Sequence, residues 1–208
     1  MMTGEPRVLA AEWALPVTAP PIRDAAVVIE GERLAWVGSR IELPSRYLHA
    51  RMRAWPRSVL LPGFVNAHAH LNLTGLVGQL RGDGDRFADW LRDLIRATSN
   101  WTPEIVNLSV AAGLDLLAQS GTTTAAHLST LPDLTPFFAH PLRAVVFHEA
   151  IGFPAAEAGG ALNQASRWLE QSRERLSAAP RLSLGLAAHA PYTCSAELIR
   201  GLAELCWR

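Results

Sequence analysis

The sequence predicts an α/β protein: part of a small β-sandwich, followed by a TIM-like (β/α) barrel of which only about the first four βα units are present. Two observations predict this fold. From Ser58 onward, apolar runs alternate with amphipathic segments of helical length, a pattern typical of parallel βαβ units. Before Ser58 the chain reads as short strands rich in Val, Ile and Trp.

The first domain is expected to span residues 1–57 as the N-terminal β-sandwich portion. Its strand segments are RVLAAEWALPV and DAAVVIEGERLAWVGSR, and Glu-Gly-Glu-Arg at 30–33 is a hairpin turn signal between two apolar runs. The segment LPSRYLHARMRAWPRS is expected to lead out of this unit. A second domain, residues 58–208, is then expected to hold the N-terminal half of a (β/α)8 barrel.

Strands and helices alternate in the second domain. The predicted strands are 59–70, 121–129, 142–152 and 181–191, and the predicted helices are 87–97, 102–120, 156–178 and 195–207. Thr102 is the expected N-cap of the second helix, with Pro103 at its first position and Gly121 at its end. Four βα units are half of a complete barrel, so the sequence predicts the N-terminal part of one.

Composition excludes several classes of protein. The formal net charge is zero, 49% of residues are hydrophobic and 18% are charged, so neither a nucleic acid nor a membrane partner is expected. The two cysteines, Cys194 and Cys206, do not form a disulfide framework. No signal peptide and no apolar run of about 18 residues is visible, so a cytoplasmic protein is expected. RGDGDRF at 81–87 lacks phosphate-loop spacing and is expected to be a loop.

Two histidines stand one residue apart at the end of the first predicted barrel strand. Side chains alternate along a strand, so His68 and His70 point the same way and can converge on one cation. The alternative is that they are polar residues at a strand end that cap the next helix. Imidazole binds zinc and iron alike, so the pair predicts a metal site without selecting the metal.

Further candidates end the other predicted strands. His189, in AAHAPYTCS, is expected to bind the substrate or polarise its leaving group, with metal ligation as the alternative. His148 and Glu149 are adjacent, so at most one faces the barrel axis while the strand continues. Glu149 is a candidate substrate contact or a structural acid, and the same two alternatives apply to His127.

Together these segments resemble the amidohydrolase superfamily. The resemblance rests on LLPGFVNAHAH, GTTTAAH and LAAHAPYTCS, in this order after a β unit. Within the superfamily, the chain is similar to the metal-dependent deaminases and chlorohydrolases that act on aminated nitrogen heterocycles. FADWLRDLI and FHEAIG are also similar to aminodeoxyfutalosine deaminases.

The resemblance implies roles for individual residues. His68 and His70 would be ligands of one divalent metal ion, zinc first and iron as the alternative, and His189 would contact the substrate. The metal would activate water for hydrolytic deamination. The family's third histidine, its aspartate and its acid–base glutamate are expected beyond residue 208. Adenosine-type relatives carry a glutamate near the end of the first helix, whereas IRATSN here has none, which argues against such a substrate.

Two other functions stay open at this point. The same scaffold performs cyclic amide hydrolysis or dechlorination, which use the same activated water. A non-catalytic remnant that binds a metal or a partner is the other alternative, because the chain alone lacks the remaining ligands. The expected partner is a small-molecule substrate. Half a barrel exposes strand edges, which favours association into a homo-oligomer.

Overall fold

A computed structural model gives the fold and describes residues 5–80, 86–177 and 179–207. Most of the expected loop at 81–87 lies outside these residues. The chain divides into two compact units, Met1–Pro62 and Gly63–Arg208. In the described residues, no helix combines the length and the apolar character needed to cross a bilayer.

The first unit is a four-stranded sheet in the order β3-β2-β1-β4. Its strands are β1 (Arg7–Ala14), β2 (Ile22–Glu30), β3 (Arg33–Ser39) and β4 (Arg51–Leu60). The hairpin predicted at 30–33 is confirmed, since Glu30 pairs with Arg33 and Gly31 takes the positive φ of 57° that the turn requires. The sheet packs one face against a small core of Val8, Ala26, Val28, Leu43 and Tyr47.

Strand β4 corrects the sequence prediction for residues 43–58. The second half of the segment expected to lead out of the unit instead belongs to β4, which pairs in parallel with β1 from Arg7 opposite Arg51 to Ala14 opposite Leu60. The register shifts between Trp55 and Val59, where Arg57 has a φ of 55°. This bulge, together with Pro56, breaks the alternation that would have indicated a strand. The domain boundary expected between residues 57 and 58 falls inside β4.

The second unit is an α/β structure with a parallel four-stranded sheet in the order β5-β6-β7-β8. Sequential order of parallel strands requires a crossover between each pair, and the helices supply these crossovers. The strands are β5 (Phe64–Ala69), β6 (Thr122–Ser129), β7 (Arg143–Ala150) and β8 (Leu182–Ala188). The helices are α1 (Phe87–Thr98), α2 (Pro103–Gln119), α3 (Thr135–Phe138), α4 (Ala158–Leu176) and α5 (Ala196–Cys206).

The single strand predicted over 59–70 is wrong. β4 ends at Leu60 and β5 begins at Phe64, with Pro62 and Gly63 between them. Pro62 has no N–H to donate to a ladder. Gly63 lies so close to Thr123 that any Cβ there would clash with the threonine side chain. The apolar run therefore belongs to two strands in two different units.

Residues at the two ends of helix α2 determine where the helix begins and ends. Thr102 Oγ1 accepts a hydrogen bond from the Ile105 amide at 3.4 Å, and Pro103 occupies the first turn. Gly121, with a φ of 82°, ends the helix as predicted. The buried residues of α2 pack on the sheet through a core that includes Val110, Leu114, Phe137, Ala144, Val146 and Leu182.

Candidate metal centre

All sequence-predicted site residues of the second unit lie at one edge of the parallel sheet. Because the strands run in the same direction, their carboxyl ends meet at that edge. β5 carries His68 and is followed by His70, and β6 carries His127 two residues before its end. His148 and Glu149 precede the end of β7, and His189 follows β8.

The two faces of this sheet have different surroundings. On the helix face, Ala144 and Val146 of β7 lie in the core formed with α2 and α3. His148 continues this alternation and stacks on Trp168 of α4, with ring centroids 5.6 Å apart. We call the opposite side the open face. Alternation places Phe147 and Glu149 there, and the Phe147 ring covers Gly185 of β8.

His68 and His70 converge on the open face. Ala69, between them, packs against the helix-side core, so alternation turns both histidines the other way. Their Nε2 atoms lie 3.3 Å apart, with ring centroids at 5.1 Å and planes inclined by 68°. His68 is exposed and His70 is half-buried. The strand end thus presents two imidazole nitrogens to the same point in space.

The tautomer of His70 is set by its other ring nitrogen. Nδ1 lies 3.0 Å from the carbonyl oxygen of Leu128, which can only accept a hydrogen bond. Nδ1 therefore carries the proton, and in the neutral ring Nε2 presents its lone pair towards His68. A histidine that ligates a metal commonly donates its second N–H in this way, which fixes the ring before the metal binds.

The pair fits a metal ion. Two nitrogens that each bind a tetrahedral zinc at 2.0–2.1 Å are separated by about 3.3–3.4 Å, and the observed separation of the Nε2 atoms is 3.3 Å. In the part of the chain that the structure describes, no group of three or more His, Cys, Asp or Glu side chains is placed to hold a metal. The pair is thus a partial ligand set.

His127 supports the pair from the helix face. Its ring is 1% exposed, and Nδ1 accepts a hydrogen bond from the Leu71 amide at 3.3 Å, directly after His70. Burial lowers the pKa of His127 to about 4, assisted by the charge of His70 and opposed by a hydrogen bond to the Ala69 backbone. His127 is therefore neutral at pH 7, and its contacts are those of a structural residue.

Ser109 of α2 fixes the segment that follows the pair. Its hydroxyl accepts from the Gly75 amide at 2.7 Å and lies 2.9 Å from the Asn72 carbonyl, to which it donates. Ser109 is buried, so both contacts are shielded from water. Together with His127, it holds the chain reversal after His70 against the sheet and α2.

His148 and Glu149 are both buried near the end of β7. They contribute to the lining of a cavity of about 230 Å³ together with Thr130, Ile151 and Gln164. His148 Nδ1 has no hydrogen-bond partner among the described residues, and burial lowers the pKa of this histidine. Stacking on Trp168 places the His148 ring on the helix face, and strand alternation assigns the Glu149 side chain to the open face.

His189 follows β8, the strand that lies farthest from β5 in the sheet. Its amide donates to the Ala150 carbonyl at 3.1 Å, which extends the β7–β8 ladder by one residue. The ring is exposed, contacts Thr193 Oγ1 through Nδ1 at 2.8 Å, and lies edge-on to Tyr192. Three strand spacings separate β5 from β8, about 14 Å along a flat sheet. The hydrogen bonds of His189 within the described residues do not involve the histidine pair.

Sequence reasoning missed three contributors to this edge: the Leu128 carbonyl, Ser109 and Thr193. A backbone carbonyl leaves no signal in a sequence. Ser109 is far from the pair along the chain and sits inside a helix, where serine is common on the surface. Only the spacing of Thr193, four residues after His189 in a loop, could have suggested a local contact.

Residues 59–208 match the amidohydrolase family. The match covers the whole second unit and more than half of the chain, so the chain belongs to this family, and the resemblance predicted from its motifs is confirmed.

Curated relatives include two kinds of deaminase. One is the 5-methylthioadenosine/S-adenosylhomocysteine deaminase 1 of Syntrophus aciditrophicus, 28% identical over 191 residues, with 88% of this chain and 41% of the relative covered. Another is the aminodeoxyfutalosine deaminase of a Nitratiruptor species, 29% identical, with 83% and 42% covered. The chain spans about two fifths of the length of these relatives.

Solved structures share the fold. The Helicobacter pylori aminofutalosine deaminase in complex with methylthio-coformycin superposes with a TM-score of 0.75 at 22% identity, covering 97% of this chain and 48% of that one. Guanine deaminase from C. acetobutylicum gives a TM-score of 0.76 at 16% identity, covering 97% and 50%. At these identities the likeness concerns the fold alone.

Proposed function

We propose that this chain is the N-terminal part of a metal-dependent hydrolase that deaminates an aminated nitrogen heterocycle or a nucleoside-like compound. In this proposal the second unit is the first half of a (β/α)8 barrel, and the first unit is part of a small β-sandwich. Four parallel strands in sequential order, with polar side chains at their carboxyl ends, support a barrel whose site opens at that edge.

The observation that carries the proposal is the convergence of His68 and His70. Their Nε2 atoms are at the separation of two zinc-bound nitrogens, and the Leu128 carbonyl holds His70 in the tautomer that a ligand needs. Zinc is the proposed metal and iron is the alternative, since imidazole binds both. When bound, a divalent metal supplies Lewis acidity for hydrolysis.

The remaining residues have proposed roles around this centre. His189 binds the substrate. It follows β8, the last strand of the sheet, and closure of a barrel brings that strand towards the His68–His70 pair. Glu149, buried at the end of β7, is the second proposed substrate contact. The proton-transferring carboxylate is not assigned to any residue of this chain. The curated relatives act as deaminases on nucleoside-like compounds, which supports deamination over the other hydrolytic reactions.

Metal content tests the centre. Elemental mass spectrometry of the purified chain, after loading with zinc or ferrous iron and removal of free metal, is compared with the His68→Ala, His70→Ala double variant. We expect bound metal in the parent and none above background in the variant. His127→Asn is the matched control: it removes a histidine from the same sheet edge but from the helix face, and should retain the metal. Equal metal in all three proteins would refute the assignment.

Ammonia release tests the reaction. The zinc-loaded chain is incubated separately with 5-methylthioadenosine, S-adenosylhomocysteine, aminodeoxyfutalosine, guanine and a chlorinated triazine. Ammonia from one of the first four, lost in the His68→Ala, His70→Ala variant, supports deamination. Chloride release from the triazine without ammonia would instead favour dechlorination. Metal binding without any turnover would support the non-catalytic alternative for this chain.

A further inference from the structure

Among the described residues, the exposed ring of His189 makes one side-chain hydrogen bond. Its Nδ1 lies 2.8 Å from Thr193 Oγ1, the shortest contact that either residue makes among its described hydrogen bonds. Exposed side chains normally sample several rotamers within nanoseconds, so a ring in this position needs a specific partner to keep one orientation. Within the described residues, His189 Nε2 makes no hydrogen bond and is the ring nitrogen available to a ligand.

Thr193 is itself fixed by the backbone around it. Its amide donates to the Ala190 carbonyl at 3.0 Å, and its hydroxyl lies 3.1 Å from the same oxygen. The Gly152 amide donates to the Thr193 carbonyl at 2.9 Å, and Ser195 donates back to Gly152 at 2.9 Å. The loop that carries Thr193 is thus bonded on both sides to the segment that follows β7.

The next residue of the loop strengthens the same attachment. The buried Cys194 thiol donates to the Ala150 carbonyl at 3.3 Å, the oxygen that also accepts the His189 amide. The backbone of His189 and the side chain that holds its ring are therefore anchored to one point, the end of β7. A change in the ring orientation would require either rotation away from Thr193 or movement of this bonded loop.

We propose that Thr193 is a positioning residue that holds the His189 ring, through Nδ1, so that Nε2 is the nitrogen presented to the substrate. The proposal rests on the proposed function only in taking the ligand of His189 to be a substrate. The restraint on the ring can be measured without turnover. A neutral hydrogen bond of this kind favours the bonded orientation over free rotation by about fivefold. Because the contact needs a hydroxyl and not a methyl group, serine should replace threonine and valine should not.

Two-bond 1H–15N NMR spectra of the histidine rings, recorded on the full chain at neutral pH, test the restraint. The wild type is compared with Thr193→Val, which keeps the shape but loses the hydroxyl, and with Thr193→Ser, which keeps the hydroxyl. The His189 signals are assigned from their loss in His189→Gln. We expect Thr193→Val to shift both His189 nitrogens towards the values of free imidazole, and Thr193→Ser to retain the wild-type values.

The same samples separate positioning from folding. Backbone amide spectra should coincide outside residues 188–196 in both variants, which shows that the fold is intact. Unchanged His189 nitrogens in Thr193→Val, or equal shifts in Thr193→Ser and Thr193→Val, would overturn the proposal. Because this readout needs neither metal nor turnover, a chain that fails every ammonia assay but shows the expected shifts supports the non-catalytic alternative for this chain and retains the positioning role of Thr193.

Discussion

The two faces of the parallel sheet use the same side chain in opposite ways. On the open face, His68 and His70 leave their Nε2 atoms 3.3 Å apart and unshielded by the core. On the helix face, His127 and His148 are 1% and 3% exposed; His127 packs against Phe137, and His148 stacks on Trp168. All four lie near the carboxyl ends of their strands. The face of the sheet to which a histidine points therefore separates candidate metal ligands from structural histidines, whereas closeness to the strand end does not.

The sharpest way to break this comparison is metal affinity. We expect His70→Ala alone to weaken zinc binding by more than about 100-fold, because it removes a ligand rather than an outer partner, whose loss typically costs 10–100-fold. The double variant His127→Asn, His148→Phe should change the dissociation constant much less. Isothermal titration with zinc measures both values. Comparable losses of zinc affinity in the variants of the two faces would mean that the face of the sheet does not decide the role of a histidine.

The pH dependence of folding is the next largest effect, and it belongs to the helix face. The pKa of His127 is lowered from 6.5 to about 4, so below pH 6.5 the unfolded chain binds a proton that the folded chain excludes. The metal-free protein should therefore lose stability as the pH falls from 6.5 to 4, by up to about 3 kcal/mol from this residue, and should gain nothing further above pH 6.5.

Urea unfolding at pH 7.5 and pH 5.0, with a chelator present, measures this dependence. His127→Asn is the control, because its side-chain oxygen can still accept from the Leu71 amide but does not titrate in this range. The difference between the two proteins isolates His127 from the contribution of His148, whose pKa burial also lowers. Parallel pH profiles for the wild type and the variant would contradict the assignment.

The general fold was accessible from the sequence because its signals are local. Periodic apolar runs, the Thr102 cap and Gly121 at the end of α2 specify the alternation of strands and helices, and all are present in the structure. β4 was not accessible, because Pro56 and a bulge at Arg57 interrupt its pattern and its partner β1 lies more than 40 residues earlier. Pairing between distant strands leaves no signal in either segment alone.

Part of the candidate site was likewise predictable from local sequence, and part depends on tertiary packing. The same-face convergence of His68 and His70 follows from strand alternation, which is local. Whether His127 is structural or functional could not be decided from the sequence, since that depends on Phe137 and the Leu71 amide, which only tertiary packing brings to its ring. His148 and Glu149 could be placed on opposite faces, but alternation alone did not reveal which of them packs on Trp168.

A smaller effect on the free energy of unfolding is expected when the hydrogen bond between His127 and the Leu71 amide is removed. His127→Leu removes the acceptor of the Leu71 amide and leaves a buried donor unsatisfied, which costs about 1–3 kcal/mol. His127→Asn should cost less, because it keeps an acceptor. Urea denaturation at pH 7.5 compares the two. If leucine were tolerated as well as asparagine, the hydrogen bond at 3.3 Å would not stabilise the turn after His70.

The smallest effect is expected at His148 and has the opposite sign. Its Nδ1 is buried without a partner among the described residues, so the folded protein bears the desolvation of a polar atom with no compensating bond. His148→Phe removes this atom and keeps a ring to stack on Trp168. We expect a free energy of unfolding equal to that of the wild type or higher by up to about 1 kcal/mol. Because phenylalanine is slightly larger than histidine, His148→Leu is measured beside it. A decrease of more than about 2 kcal/mol in the free energy of unfolding of both variants would mean that the His148 nitrogen has a hydrogen-bond partner in solution. The contrast with His127 would then disappear.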